Sequence, residues 1–198
     1  MEKKIITIGR QLGSGGREIG RRLSEDLGIP FYDKEILNEA AKKSGFTREI
    51  LEKHDEKPTN SFLYAIAMGG GGFGLHYQKP LHLDLYLAQF NTMKQLAEEG
   101  PGIFIGRCAD YVFENRTDTF NIFFMADLEY RVKRVAELNG VSEREARELC
   151  VKGDKERASY YNYNSNHDWG DAKYYDLCIN TAKVGIDKAV EMIKLALK

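Results

Sequence analysis

Short β-branched runs alternate with stretches that carry an apolar stripe at helical spacing. Lys4 to Ile8, Gly102 to Ile105, Phe120 to Met125 and Asp176 to Asn180 read as buried strands, and Pro30 to Tyr32 as a shorter one. Between them Ile19, Leu23 and Leu27 recur at helical spacing until Gly28 stops the pattern. Asp33 is placed to cap a helix carrying Ile36, Leu37, Ala40 and Ala41, and Arg48 to His54 is a further helix-like piece. Helix is predicted again from Leu81 to Glu98, from Asp127 through Val132, Val135 and Leu138, and from Ile186 to Leu197. Ser142-Glu143-Arg144-Glu145 has capping-box spacing and opens another helix. Periodicity is lost from Lys57 to Pro80, around Gly69-Gly70-Gly71-Gly72.

Five short strands separated by helices imply an α/β fold, a parallel sheet covered on both faces. With 198 residues, no internal repeat and no second core, residues 1–198 are expected to form one domain. Ligands of such sheets bind beyond the C-terminal strand ends. The stretches to search are therefore Gly9 to Arg17, Asp33, Gly106 to Asp110, Asp127 and Asn180 to Lys183.

Charge narrows the partners. The formal net charge is −1, so no global basic field exists to hold a nucleic acid, and a polyanion must be caught by local arginines. Cys108, Cys150 and Cys178 form no CxxC pair, which argues against zinc and against a disulfide framework. The apolar run Ile5 to Ile8 is too short for a signal core or a membrane span. A cytoplasmic protein with no membrane and no nucleic-acid partner is expected, its oligomeric state unread.

The strongest chemical signal follows the first strand. Ile5-Ile6-Thr7-Ile8 runs into Gly9-Arg10-Gln11-Leu12-Gly13-Ser14-Gly15-Gly16-Arg17 and then into a helix. Glycines let backbone N–H groups turn inward around an anion, and the helix N-terminus adds unpaired donors. The loop departs from the Walker pattern GxxxxGK[ST]. With Gly15 as the second glycine, Arg10 stands at the first, Gly16 at the lysine and Arg17 at the hydroxyl position. Shifted by one, Gln11, Arg17 and Glu18 take those places. Arg17 is the natural substitute cation, because a guanidinium can hold two phosphate oxygens.

With these residues in view, the chain resembles the cytidylate kinase-like family of P-loop phosphotransferases. The resemblance rests on Ile5 to Gly20, on Phe31-Tyr32-Asp33 and on Ile105-Gly106-Arg107-Cys108-Ala109-Asp110. It continues through Asp154-Lys155-Glu156-Arg157 and Tyr175-Asp176-Leu177-Cys178-Ile179-Asn180. It implies a three-layer P-loop NTPase fold with an acceptor-binding insertion at 57–80 and a lid at 150–172. It also implies ATP and Mg²⁺, with phosphoryl transfer to CMP or a similar acceptor. The lysine characteristic of established cytidylate kinases is absent, and Cys108 stands where the family's Gly-Arg-Asp has its acid.

On that resemblance Gly13, Ser14, Gly15, Gly16 and Arg17 hold donor phosphates, with Arg131 and Thr181 also on the donor side. Asp33, Arg107, Asp110 and Asp154 face the acceptor, and Arg17, Arg107 and Arg157 carry the transfer. No residue is assigned to a metal, so Mg²⁺ is expected to bind through phosphates and water. Asp33 is equally readable as a helix cap, and Asp154 with Arg157 as an i,i+3 ion pair. Tyr160-Tyr161-Asn162-Tyr163 with His167 and Trp169 read as the lid's end folding against the core. The alternatives are a nucleotide-sensing module without turnover, and a kinase for another small acceptor.

Overall fold

The computed structural model describes residues 5–33, 36, 39, 42, 47, 49 and 81–197. The helix-like piece at 48–54, apart from residue 49, and the insertion at 57–80 lie outside them. Five strands are described: β1 (Ile5–Arg10), β2 (Phe31–Tyr32), β3 (Gly102–Ile105), β4 (Thr119–Met125) and β5 (Leu177–Asn180). The main helices are α1 (Gly16–Leu27), α2 (Leu81–Glu99), the short α3 (Ala109–Val112), α4 (Leu128–Asn139) and α5 (Glu143–Asn164). A 3₁₀ turn (Ala172–Tyr174), α6 (Thr181–Val184) and α7 (Ile186–Ala196) follow.

All strand pairs are parallel, in the order β2-β3-β1-β4-β5. The strand periodicity of two sorts the core into two layers. Ile6, Ile8, Ile103, Ile105, Ile122 and Phe124 face α1 and α7, meeting Ile19, Leu23, Ala189, Val190 and Ile193. Ile5 and Phe104 face the other way, onto Met93, Leu96 and Ala97 of α2 and Val112 of α3. Burying each large aliphatic side chain contributes about 1.5–3 kcal/mol, so the two layers supply the main driving force. Thr7, which interrupts the apolar run, lies on the second face and is satisfied across the sheet, its Oγ1 donating to Asn121 Oδ1 at 2.7 Å.

The chain runs from β1 to one side of the sheet and later crosses to the other, so β1 is the switch point and a crevice opens at its C-terminal end. β1 ends two residues later than predicted because Gly9 and Arg10 pair with Phe123 and Phe124. The stop at Gly28 is the predicted one, a left-handed cap at φ 66°. Ser142 caps α5 as read, its side chain accepting from Glu145 N. The helix it opens is 22 residues long and reaches Asn164.

Candidate phosphate site

The turn from β1 to α1 passes through two glycines at positive φ, Gly13 (81°) and Gly15 (85°). Both conformations are strained for other residues, and both places are crowded: a Cβ on Gly15 would lie 2.4 Å from Ile186 Cδ1. The first helical bond runs from Ile19 N to Gly15 O. The amides of Gly16, Arg17 and Glu18, in the first turn, therefore have no intrahelical acceptor, which is the arrangement an anion exploits. Ser14 is committed inward. Its N–H and hydroxyl both donate to Gln11 O, at 3.3 and 2.9 Å, and its carbonyl accepts from Thr181 Oγ1 at 2.6 Å.

Three residues expected beside ligand make contacts that brace the loop. Arg131 donates to Ala126 O (2.9 Å) and Leu12 O (3.1 Å) and pairs with Asp154 at 2.7 Å. Asp154 also accepts from Leu12 N at 2.7 Å. The expected Asp154–Arg157 pair is thus replaced by a tie across to α4, because Leu12 and Arg131 already occupy the carboxylate. Thr181 is fully buried and bonds Ser14 O and Met125 O. These contacts hold the backbone shape that the glycines permit. Gln11 belongs with them: its amide oxygen accepts from Ala126 N at 3.1 Å. Nothing in its local pattern signals that role.

Arg17 does not reach back over the loop. Its guanidinium lies 2.7 Å from the Asp33 carboxylate at the end of β2, because that acid is the nearer counter-charge. Arg107 meets the same carboxylate at 3.3 Å and donates to Ile105 O at 3.0 Å. It is only 2% exposed. Gly106, Arg107 and Cys108 sit consecutively at φ 70°, 53° and 56°, a left-handed turn that costs the two non-glycine residues about 1–2 kcal/mol each. That turn swings the arginine inward beneath the crevice. Asp33 is therefore an ion-pair hub between two arginines; Ile36 N also bonds its carbonyl at 3.3 Å.

A cavity of about 20 Å³, enough for one water, remains where these parts converge. Gly9, Arg10, Arg107, Asp110, Arg157 and Tyr175 are among its walls. Arg157 Nη1 approaches Arg10 O at 3.4 Å. The last turns of α5 and the segment after it line the roof with aromatics. Tyr160 and Tyr161 are buried, Trp169 packs edge-on against Phe123 at 5.3 Å, and His167 stacks on Tyr174 at 3.6 Å. A larger hollow of about 450 Å³ opens at the opposite strand ends, but its charged groups Glu98, Arg116 and Asp118 are bonded to one another.

Tyr161 OH donates to Asp110 at 2.5 Å. Burial pushes the Asp110 carboxyl above its ordinary value of 3.8, with the Tyr161 bond opposing. The folded protein thus binds more protons than the unfolded chain above that value, so this group lowers stability as pH rises through its raised pKa. Asp110→Asn is expected to flatten that decline in urea unfolding midpoints measured as pH is raised from 3.8. Equal slopes in variant and wild type would count against it. Burial likewise raises the Cys150 and Cys178 thiols, which disfavours their thiolate forms.

A glycine turn feeding a helix at the switch point of a 2-3-1-4-5 parallel sheet defines a P-loop kinase fold. The chain belongs to the cytidylate kinase-like family, which matches residues 5–183. It is 28% identical to a cytidylate kinase of Methanopyrus kandleri, over 98% of this chain and 92% of that one. A cytidylate kinase of Pyrococcus horikoshii is 24% identical, over 99% and 89%. Among solved structures, an uncharacterized protein from Eubacterium ventriosum matches with TM-score 0.75 and 30% identity over 98% and 97% of the two chains. A shikimate kinase from Bacteroides thetaiotaomicron, at TM-score 0.54 and 15% identity over 98% and 97%, shares the fold. Family and site together support a nucleotide kinase. Among the described residues no helix is long and apolar enough to cross a membrane.

Proposed function

We propose that the protein transfers the γ-phosphoryl group of ATP to a nucleoside monophosphate, with CMP the first acceptor to test. The observation that carries this reading is the convergence of Arg10, Arg107 and Arg157 on one cavity at the strand ends from which the glycine loop and α1 depart. Burial raises the carboxyl of Asp110, the acid in that wall, and the three arginines outnumber the acids that line it, although the whole chain carries a net charge of −1. The two phosphate groups would meet in the crevice that opens beside this cavity at the C-terminal end of β1. Catalysis is then positioning and charge neutralisation, with no covalent intermediate.

The amides of Gly16 and Arg17 hold donor phosphates. Arg107 and Arg17, now paired with Asp33, receive the acceptor phosphate, and Arg157 faces the charge that develops between the two. The cytidylate kinases among the relatives favour a pyrimidine monophosphate. Ser14 spends its hydroxyl on Gln11, and among the described residues no group of three or more His, Cys, Asp or Glu is placed for a metal. Mg²⁺ would then be held mainly through phosphates and water. Bound there, the ion neutralises charge on the phosphate oxygens.

The test is turnover with ATP and Mg²⁺ against CMP, UMP, AMP and GMP. CMP is expected to be phosphorylated fastest. A protein that binds ATP yet phosphorylates none of them is a nucleotide sensor. Transfer only to a non-nucleotide would place it among kinases for other small acceptors.

A further inference from the structure

We infer that Arg10 supplies the phosphate-binding cation that a lysine supplies in the Walker loop; the inference rests on the reading of this site as one for ATP phosphates. Its first support is steric. The helix start puts Gly16 directly after the left-handed Gly15, in the lysine's place. A Cβ on Gly16 would lie 2.9 Å from Arg10 Cβ and 2.9 Å from Phe124 Cδ2, closer than real side chains approach. Neither neighbour is free to yield. Arg10 Cβ is rooted on the central strand, whose register pairs Arg10 with Phe124, and Phe124 is fully buried in the core. No side chain fits at position 16 while Arg10 and Phe124 keep these places.

The second support is where the obstructing side chain belongs. Arg10 leaves the backbone within carbon–carbon contact of the point from which a lysine at 16 would start. It also lines the cavity with Arg107 and Arg157, and Arg157 approaches its carbonyl at 3.4 Å. The other candidate cation, Arg17, is held on Asp33 at the end of β2, with its side chain 55% exposed. On this reading the two arginines of the loop divide the work: Arg10 serves the donor phosphates and Arg17 the acceptor side. A guanidinium can hold two oxygens of one phosphate, and it keeps its charge at any working pH.

The experiment compares wild type with Arg10→Gln, Arg10→Lys and Arg17→Gln in the full chain, after thermal unfolding has established that each is folded. ATP affinity is measured by calorimetry, and kcat and both KM values by coupled assay. Arg10→Gln is expected to lose about 10- to 150-fold in ATP affinity and kcat, with the acceptor KM unchanged. Arg10→Lys recovers most of that loss, and Arg17→Gln raises the acceptor KM instead. A wild-type protein that binds ATP and turns over, beside an equally active Arg10→Gln, overturns the role of Arg10 and leaves the phosphate-site reading intact. A wild type that neither binds ATP nor transfers overturns both. Should Arg10→Gln fail to fold, Arg10→Lys decides: near-wild-type transfer supports the assignment, and abolished transfer in a folded protein overturns it.

Discussion

Arg107→Ala is expected to weaken acceptor binding about 10- to 150-fold while ATP affinity stays nearly unchanged, and to destabilise the fold by about 3 kcal/mol. The two effects have separate causes. Arg107 is buried, and its guanidinium bonds both Asp33 and the carbonyl of Ile105. Removing one member of a buried ion pair typically costs about 3–5 kcal/mol, and the lower figure applies because Asp33 keeps Arg17 as partner. The binding loss follows from the proposed grip of Arg107, which lines the cavity, on the acceptor phosphate. Calorimetric titration with ATP and with CMP, beside urea unfolding, separates the two. Equal weakening of both nucleotides would make Arg107 a purely structural residue.

Gly16→Lys, which writes the Walker lysine into the loop, is expected to impair the protein. The new Cβ would overlap Arg10 and Phe124, and overpacking of this kind costs about 1–3 kcal/mol. Relief requires β1 or the first turn of α1 to shift, and either shift moves the amides of Gly16 and Arg17 away from the proposed phosphate positions. Melting temperature and turnover should therefore both fall. A Gly16→Lys variant with raised turnover would show that the loop tolerates the lysine and that its absence was limiting.

How much of this could be read in the sequence depends on the range of the interaction. The strands, the stop at Gly28 and the cap at Ser142 rest on neighbouring residues, and the structure places them within a residue or two of expectation. The glycine loop was legible for the same reason. What could not be read is the pairing of charges distant in sequence. Arg17 finds Asp33, Arg131 finds Asp154, and Thr181 finds the Ser14 carbonyl across 167 positions. Each side chain carries a chemistry that suits either a ligand or a brace, and only the sheet order decides which. The closure of position 16 depends on the register of β1 against β4, which no local pattern encodes.

The aromatic roof has an optical consequence. The chain contains one tryptophan, Trp169, and its ring rests on Phe123, whose own ring lies against Gly9 at the loop's entrance. All indole emission from this protein thus originates in the wall of the proposed phosphate cavity, a single ring away from the loop. The molecule carries its own label at the place where occupancy matters, with no second chromophore of that kind to dilute the signal.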